Sequence, residues 1–197
     1  MIDTNAVISF FDRLAPQWDA GMVRNDRVIG IILDNARVSA GADVLDVACG
    51  TGVLFPDYLA RNVASVTAID ISPRMAEIAR EKAAAAKNIT VLTGDVTKTG
   101  FDRQFDCIVV YNALPHFADP EALIGTLAAL LKPGGTLTVA HGMSRERINR
   151  HHGNVASPVC ADLMPADELA ALFQAHLALT VVRSDDALYQ VAGTQPR

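Results

Sequence analysis

The sequence predicts an α/β protein with a Rossmann-like, doubly wound and mostly parallel sheet of seven strands, closed by an antiparallel C-terminal hairpin strand. Three observations carry this. From residue 43 onward, short apolar runs alternate with amphipathic helical stretches, the order that builds a parallel sheet with helices on both faces. Residues 105–111 are almost continuously apolar, as a strand buried on both faces must be. The last two strand-like runs, residues 179–183 and 188–191, are separated by a short polar turn at Ser184, Asp185 and Asp186. That turn is too short for a parallel crossover, so the pair is a hairpin.

Two helices, over residues 5–14 and 23–38, come first and form an N-terminal helical cap within residues 1–40. Residues 44–47 are the first strand, followed by a glycine-rich turn and a helix over 55–61. Residues 65–69 are the second strand. Ser72 and Pro73 then open a helix, since serine caps well and proline suits the first helical position. Its Met75, Ile78, Ala79 and Ala86 fall at helical spacing. Residues 89–92 and 105–111 are the third and fourth strands. Asp119, Pro120 and Glu121 start another capped helix, with Leu123, Leu127, Leu130 and Leu131 on one stripe. Lys132-Pro133-Gly134-Gly135 ends it. Residues 136–140 are the fifth strand, and a helix over 165–175 precedes the hairpin. One domain over residues 1–197 is expected, with residues 142–164 as a substrate-covering insert.

Composition narrows the function. The chain has 197 residues, half of them hydrophobic and a fifth charged, which excludes a disordered chain. A net charge of −5 argues against a general nucleic-acid binder. Cys49, Cys107 and Cys160 are odd in number and far apart, so a reducing cytoplasm is expected rather than a disulfide framework. The acidic N-terminal stretch does not read as a signal peptide. The longest helix-like apolar run, residues 122–131, is far short of the roughly 20 residues of a membrane span.

The chemistry concentrates in three strand ends. In VLDVACGTG, residues 44–52, a buried strand bearing Asp46 runs into Gly50-Thr51-Gly52. Glycines there let a ligand approach the backbone, at the edge where open α/β sheets bind ligands. Asp70 ends the second strand, where a carboxylate accepts from a ribose diol. Asp95 follows the third, within reach of an adenine amino group. A nicotinamide fingerprint, G-x-G-x-x-G, fails, because counting from Gly50 puts Phe55 at its third glycine. Asp46 also sets a negative charge where phosphates would lie. A cationic, phosphate-free nucleoside such as S-adenosylmethionine suits the turn better.

These residues resemble the class I S-adenosylmethionine-dependent methyltransferases. The resemblance runs over about residues 43–141 through VLDVACGTG, AIDIS, GDV, FDCIVVYNALPHF and LLKPGGTLTVA, in family order and spacing. It implies that Asp46, Ala48, Cys49, Gly50, Thr51 and Gly52 line the methionine moiety. Asp70, with Ile71, binds the ribose; Asp95 and Val96 flank the adenine, with Met75 close by; Tyr111 and Asn112 sit beside the sulfonium. Ala48 stands where the family usually has glycine. FFDRLAPQWD, residues 10–19, is similar to the start of quinone-biosynthesis methyltransferases, with Trp18 in place of their tyrosine, and Trp18 is expected to cover the cofactor.

The implied reaction is methyl transfer to a small-molecule acceptor by direct displacement. The rival readings are a non-catalytic S-adenosylmethionine-binding partner or sensor, and a nicotinamide-dependent oxidoreductase. The segment after the fourth strand, Asn112-Ala113-Leu114-Pro115-His116, lacks the Asn/Asp-Pro-Pro-aromatic motif of amino-methylating DNA enzymes. His116 and His141 follow strands four and five, so either can serve as a base, with His152 as a third candidate. Residues 144–150 are expected to form a short helix with three arginines, folding over the acceptor so that Arg145 or His152 faces it. The spacing of His141, His152 and Cys160 matches no tight metal-ligand pattern, and no metal is expected.

Overall fold

A computed structural model of the chain describes residues 2–152 and 158–197, with residues 151 and 152 described by their backbone alone. Among the described residues, seven strands form one sheet in the order β3-β2-β1-β4-β5-β7-β6. β1 (Asp43–Val47), β2 (Ser65–Asp70), β3 (Ile89–Thr93), β4 (Phe105–Tyr111) and β5 (Leu131–His141) run parallel. β7 (Tyr189–Thr194) lies antiparallel between β5 and β6 (Ala178–Ser184). The predicted fold class is therefore the observed one.

Side chains along the central strands divide between two cores. In β4, Phe105, Ile108 and Val110 face one side, and Cys107 and Val109 the other. The first side is closed by Leu123 and Leu127 of α5 (Pro120–Ala129) and Leu169 and Phe173 of α7 (Ala166–Gln174). The second is closed by Ile29 and Leu33 of α2 (Asp26–Asn35), Tyr58 of α3 (Phe55–Ala60) and Ala79 of α4 (Pro73–Ala83). Each fully buried leucine or phenylalanine contributes about 1.5–3 kcal/mol, so burial on both faces explains why these strands carry so few polar residues.

The helix starts follow their capping residues. Ser72 accepts from the Met75 amide at 3.2 Å, and Asp119 from the Ala122 amide at 2.9 Å. Asp3 caps α1 (Thr4–Leu14) through the Asn5 and Ala6 amides. α2 begins at Asp26 rather than at 23, because Asn25 takes the cap from Val28 while Val23 is left 94% exposed. Two 3₁₀ turns, Ala15–Gln17 and Asp19–Gly21, join α1 to it.

β5 begins earlier than the expected residue 136. α5 ends at Ala129, Leu131 pairs with Phe105, and the ladder is irregular before Thr136 pairs with Cys107. The Lys-Pro-Gly-Gly stretch is thus an irregularity within the strand, and the helix ends before it rather than at it. Within the expected insert, α6 (Arg145–His152) forms where a short helix was predicted, and residues 158–164 lead back to α7. The stretch 153–157 of that insert lies outside the described residues. Among the described residues, no helix is long and apolar enough to cross a membrane.

Candidate active site

The C-terminal ends of β1 to β4 open onto a cavity of about 710 Å³, the size of a small-molecule site. The turn after β1 forms part of its wall. Ala48 (φ 54°), Gly50 (φ 56°) and Gly52 (φ 85°) all adopt left-handed backbone. That winding turns the Gly50 amide onto Asp70 Oδ2 at 2.8 Å and the Cys49 amide onto the Ile69 carbonyl at 3.1 Å. A Cβ on Gly50 would meet no atom within 4 Å, so open space lies against this backbone. A Cβ on Gly52 would strike the Phe55 ring. Phe55 is the residue that broke the dinucleotide fingerprint, and its ring occupies the space behind the turn.

The three strand-end acids have different surroundings. Asp70 lines the cavity, accepting from Gly50 through one oxygen and from the Ser72 amide at 2.8 Å through the other. Burial pushes its carboxyl up to about 6 against the pull of those two amides, and the charge of Asp12 adds to the rise. Asp95 also lines the cavity. Burial raises its carboxyl, but hydrogen bonds from Thr97 and Lys98 outweigh this and hold it below the usual carboxylate range. Asp46 sits behind the wall, 2% exposed. Burial, with the nearby Asp70 charge, pushes it up to about 8, and the Tyr58 hydroxyl only partly offsets this. Asp46 Oδ2 and the Tyr58 hydroxyl are both buried without a partner at full hydrogen-bonding geometry. Burial thus favours the protonated, neutral form of Asp46.

The N-terminal cap closes the opposite side. Phe11 stands edge-on to Trp18 (ring centroids 5.6 Å apart) and to His116 (4.9 Å), and all three line the cavity. The cap is tied to the cofactor end of the sheet by its acids. Asp12 accepts from the Ser72 hydroxyl at 2.6 Å, and Asp19 from the Thr51 hydroxyl at 2.6 Å while pairing with Lys82. Arg24 donates to the Val53 carbonyl and pairs with Asp57. His116 Nδ1 lies 3.0 Å from the Val159 carbonyl. A carbonyl only accepts, so Nδ1 carries the proton there.

Most of the expected residues meet at this cavity. Ala48, Cys49, Gly50 and Thr51 line it along the turn. Asp70, Ile71 and Met75 line it after β2, and Asp95 and Val96 after β3. Tyr111, Asn112, His116 and Trp18 complete the expected set. Asn112 is held in left-handed backbone (φ 55°) while its side chain accepts from the Gly142 amide at 2.9 Å. Four expected residues are placed elsewhere. Gly52 and Asp46 support the turn from behind. His141 is 3% exposed, with its ring against Tyr189 and outside the cavity lining. Arg145 does not face the cavity either: its Nε donates to the Leu163 carbonyl at 2.7 Å. The side chain of His152 lies outside the described residues. Sequence reasoning missed Phe11, Asp12, Asp19, Arg24 and Phe117. Asp12 and Asp19 do fall within the FFDRLAPQWD stretch, and the alternation of acids and aromatics there was the available signal. Among the described residues, no group of three or more His, Cys, Asp or Glu side chains could hold a metal.

Residues 44–135 match a methyltransferase domain family. The chain is 35% identical over 147 residues to the demethylmenaquinone methyltransferase of Tropheryma whipplei (strain Twist), covering 69% of this chain and 59% of that one. It belongs to the class I S-adenosylmethionine-dependent methyltransferases. It is also 40% identical over 106 residues to the ubiquinone biosynthesis O-methyltransferase of Xanthomonas campestris pv. campestris (strain B100), covering 52% and 44% of the two chains. The chain thus spans 59% or less of the length of these two relatives. Its fold matches the N-methyltransferase NodS of Bradyrhizobium japonicum WM9 in complex with S-adenosyl-L-homocysteine, with TM-score 0.68, 19% identity and 87% of each chain covered. The cofactor of the family is S-adenosylmethionine, and the residues present fit it. Gly50 leaves open space where an amino-acid moiety needs backbone approach, and Asp70 presents a buried carboxylate beside it.

Proposed function

We propose that this chain transfers a methyl group to a small, ring-bearing acceptor held beneath the N-terminal cap. The observation that supports this is a single cavity continuous from the Gly50 turn and Asp70 to the aromatic wall of Phe11, Trp18, His116 and Phe117. When bound, S-adenosylmethionine supplies a methyl group activated by its sulfonium. Ala48, Cys49, Gly50 and Thr51 would hold its amino-acid end, Asp70 and Ile71 its ribose, and Met75, Asp95 and Val96 its adenine. Tyr111 and Asn112, at the end of β4 and in the cavity lining, would stand beside its sulfonium. The transfer neutralises charge rather than building it on the protein, so the chain mainly aligns the acceptor and excludes water. Phe11 and Trp18 offer edges and faces to a flat ring. We assign to His116, which lines the cavity, the role of taking a proton from a hydroxyl acceptor: with Nδ1 donating to Val159, the neutral ring carries its lone pair on Nε2. The quinone-related relatives favour a phenol or quinol oxygen or ring carbon as acceptor. The unpaired Cys49, Cys107 and Cys160 suit a reducing compartment, and we place the reaction in the cytoplasm.

Calorimetry with S-adenosylmethionine, S-adenosylhomocysteine and NAD tests the cofactor, and a labelled-methyl screen of phenols, quinols, amines, thiols and carboxylates tests the acceptor. Tight NAD binding with no response to the adenosyl compounds would reject the reading. Cofactor binding with no transfer to any class would point instead to an accessory, non-catalytic role. His116→Ala is expected to lower turnover of hydroxyl acceptors by about 10²-fold or more, leaving S-adenosylhomocysteine affinity unchanged.

A further inference from the structure

A second cavity, of about 330 Å³, adjoins the first and shares Phe117 and Ala118 with it. Leu114, Pro115 and Pro120 line one side, and Cys160, Leu163 and Met164 the other. The foot of α1 runs along both spaces, with Ile2 lining the second and Thr4 and Val7 the first. The far wall is fixed by hydrogen bonds. The Val159 carbonyl meets His116, and the Ala161 amide donates to the Pro115 carbonyl at 2.9 Å. The Leu163 carbonyl accepts from Arg145 at 2.7 Å, and the Leu163 amide donates to Asn149 at 2.8 Å. α6 therefore does not present Arg145 to the first cavity; it uses Arg145 and Asn149 to hold the wall of the second. Among the described residues, Asp162 is the charged side chain on that lining.

We infer that the second cavity is an annex of the acceptor site. It takes an apolar, unbranched arm of the acceptor that passes Phe117 and ends without a negative charge. The inference rests on the methyl-transfer reading only for placing the acceptor's ring in the first cavity. At roughly 30 Å³ per water-sized group the annex has room for a short chain. Each methylene buried there is worth about fourfold in affinity before the cost of ordering the arm. The Asp162 carboxylate disfavours an arm that ends in a carboxylate of its own.

Cys160 reports on the annex directly. It lines the cavity and is partly exposed, whereas Cys49 and Cys107 are buried. The full chain, saturated with S-adenosylhomocysteine, is treated with iodoacetamide in the presence of phenol or 4-hexylphenol, and alkylation of Cys160 is followed by peptide mass spectrometry. 4-Hexylphenol is expected to slow alkylation at least about fivefold, with phenol at equal occupancy giving no protection. It is also expected to bind at least about tenfold more tightly than phenol and than 6-(4-hydroxyphenyl)hexanoate. Ala161→Phe places a ring in the annex and should bring hexylphenol and phenol affinities to within about twofold of each other. Retained S-adenosylhomocysteine binding shows that the variant has folded. Equal alkylation with both phenols, or an undiminished hexyl preference in Ala161→Phe, overturns the annex. Protection of Cys160 with no transfer to any acceptor class in the separate screen with S-adenosylmethionine rejects the methyl-transfer reading and leaves the annex standing. Methylation of phenol without protection by 4-hexylphenol does the reverse.

Discussion

Asp70 concentrates the demands on the site in one side chain. Its two oxygens already organise the Gly50 and Ser72 amides, and on the proposed reading the ribose hydroxyls of the cofactor would need an ionised acceptor at the same carboxylate. Burial pushes the group up to about 6, so it is protonated in part of the weakly acidic range. S-Adenosylhomocysteine binding is therefore expected to strengthen as pH rises from about 5 to 7 and then level off. Asp70→Asn should weaken binding by roughly 10- to 100-fold at pH 7.5, from a lost charged hydrogen bond of about 1.5–3 kcal/mol, and should flatten this pH dependence. Calorimetry across that range measures both, and a slope that persists in the variant would assign the titration to another group. Asp70, Asp95 and the glycines were legible in the sequence because a strand end followed by an acid or a glycine is a local pattern. Asp12 and Asp19 were not identified. Their partners, Ser72 and Thr51, are 60 and 32 positions away, and no local pattern announces such contacts.

Helices and strands were legible through periodicity and caps, and the errors fall where tertiary pairing overrides local signals. Lys132-Pro133-Gly134-Gly135 reads as a helix stop, yet Leu131 pairs with Phe105 across the stretch. The three arginines of α6 read as a cationic lid. Arg145 instead satisfies a backbone carbonyl in the neighbouring segment, a partner that residue type alone cannot reveal. The turn after β1 departs from the family in a testable way. Ala48 holds φ 54° where the family usually has glycine, and left-handed backbone costs an L-residue about 1–2 kcal/mol. Ala48→Gly is expected to relieve part of this, raising Tm by about 2–4 °C as read by calorimetric unfolding. No change would mean that the unfolded chain gains as much freedom as the turn loses strain. The cap is a second element-level device. Asp19→Ala removes a half-exposed ion pair and one hydrogen bond to Thr51, so stability should fall by no more than about 1 kcal/mol. The release of S-adenosylhomocysteine, followed by stopped flow, should quicken about 3- to 10-fold, because Thr51 belongs to the cofactor turn. Unaltered release would show that the cap does not gate the cofactor.

Across the whole molecule the buried carboxylates at the cofactor end of the sheet and the solvent-reached Asp43 at its other end are perturbed in opposite directions. At the cofactor end, burial raises Asp46 to about 8 and Asp70 to about 6. At the other end, Lys132 bridges Asp43 and Asp106 at 2.8 Å to each, and Arg103 pairs with Asp43. The hydrogen bond from Lys132, then those from Ser65 and Arg103, hold the Asp43 carboxyl well below the usual carboxylate range despite some burial. The signs for stability follow. A depressed acid contributes stability that is present above its unfolded value near 3.8 and lost as pH falls below it. A raised acid contributes stability that is present below that value and lost as pH rises, up to about 8 for Asp46 and about 6 for Asp70. Unfolding curves from pH 3 to 9 should therefore separate two variants. Asp46→Asn keeps the shape of the protonated acid without its titration, so it should raise Tm at pH 8 and leave it nearly unchanged at pH 4. Lys132→Met should lower Tm at pH 5 to 8, with the difference beginning to shrink as pH falls below about 4 toward the depressed folded-state value of the Asp43 carboxyl. Solvent reaches that cluster, which keeps the second effect small. If Asp46→Asn instead lowered Tm equally at pH 4 and pH 8, the Asp46 carboxyl would not be titrating between them, and the buried acid would be an ionised hydrogen-bond acceptor that the turn requires.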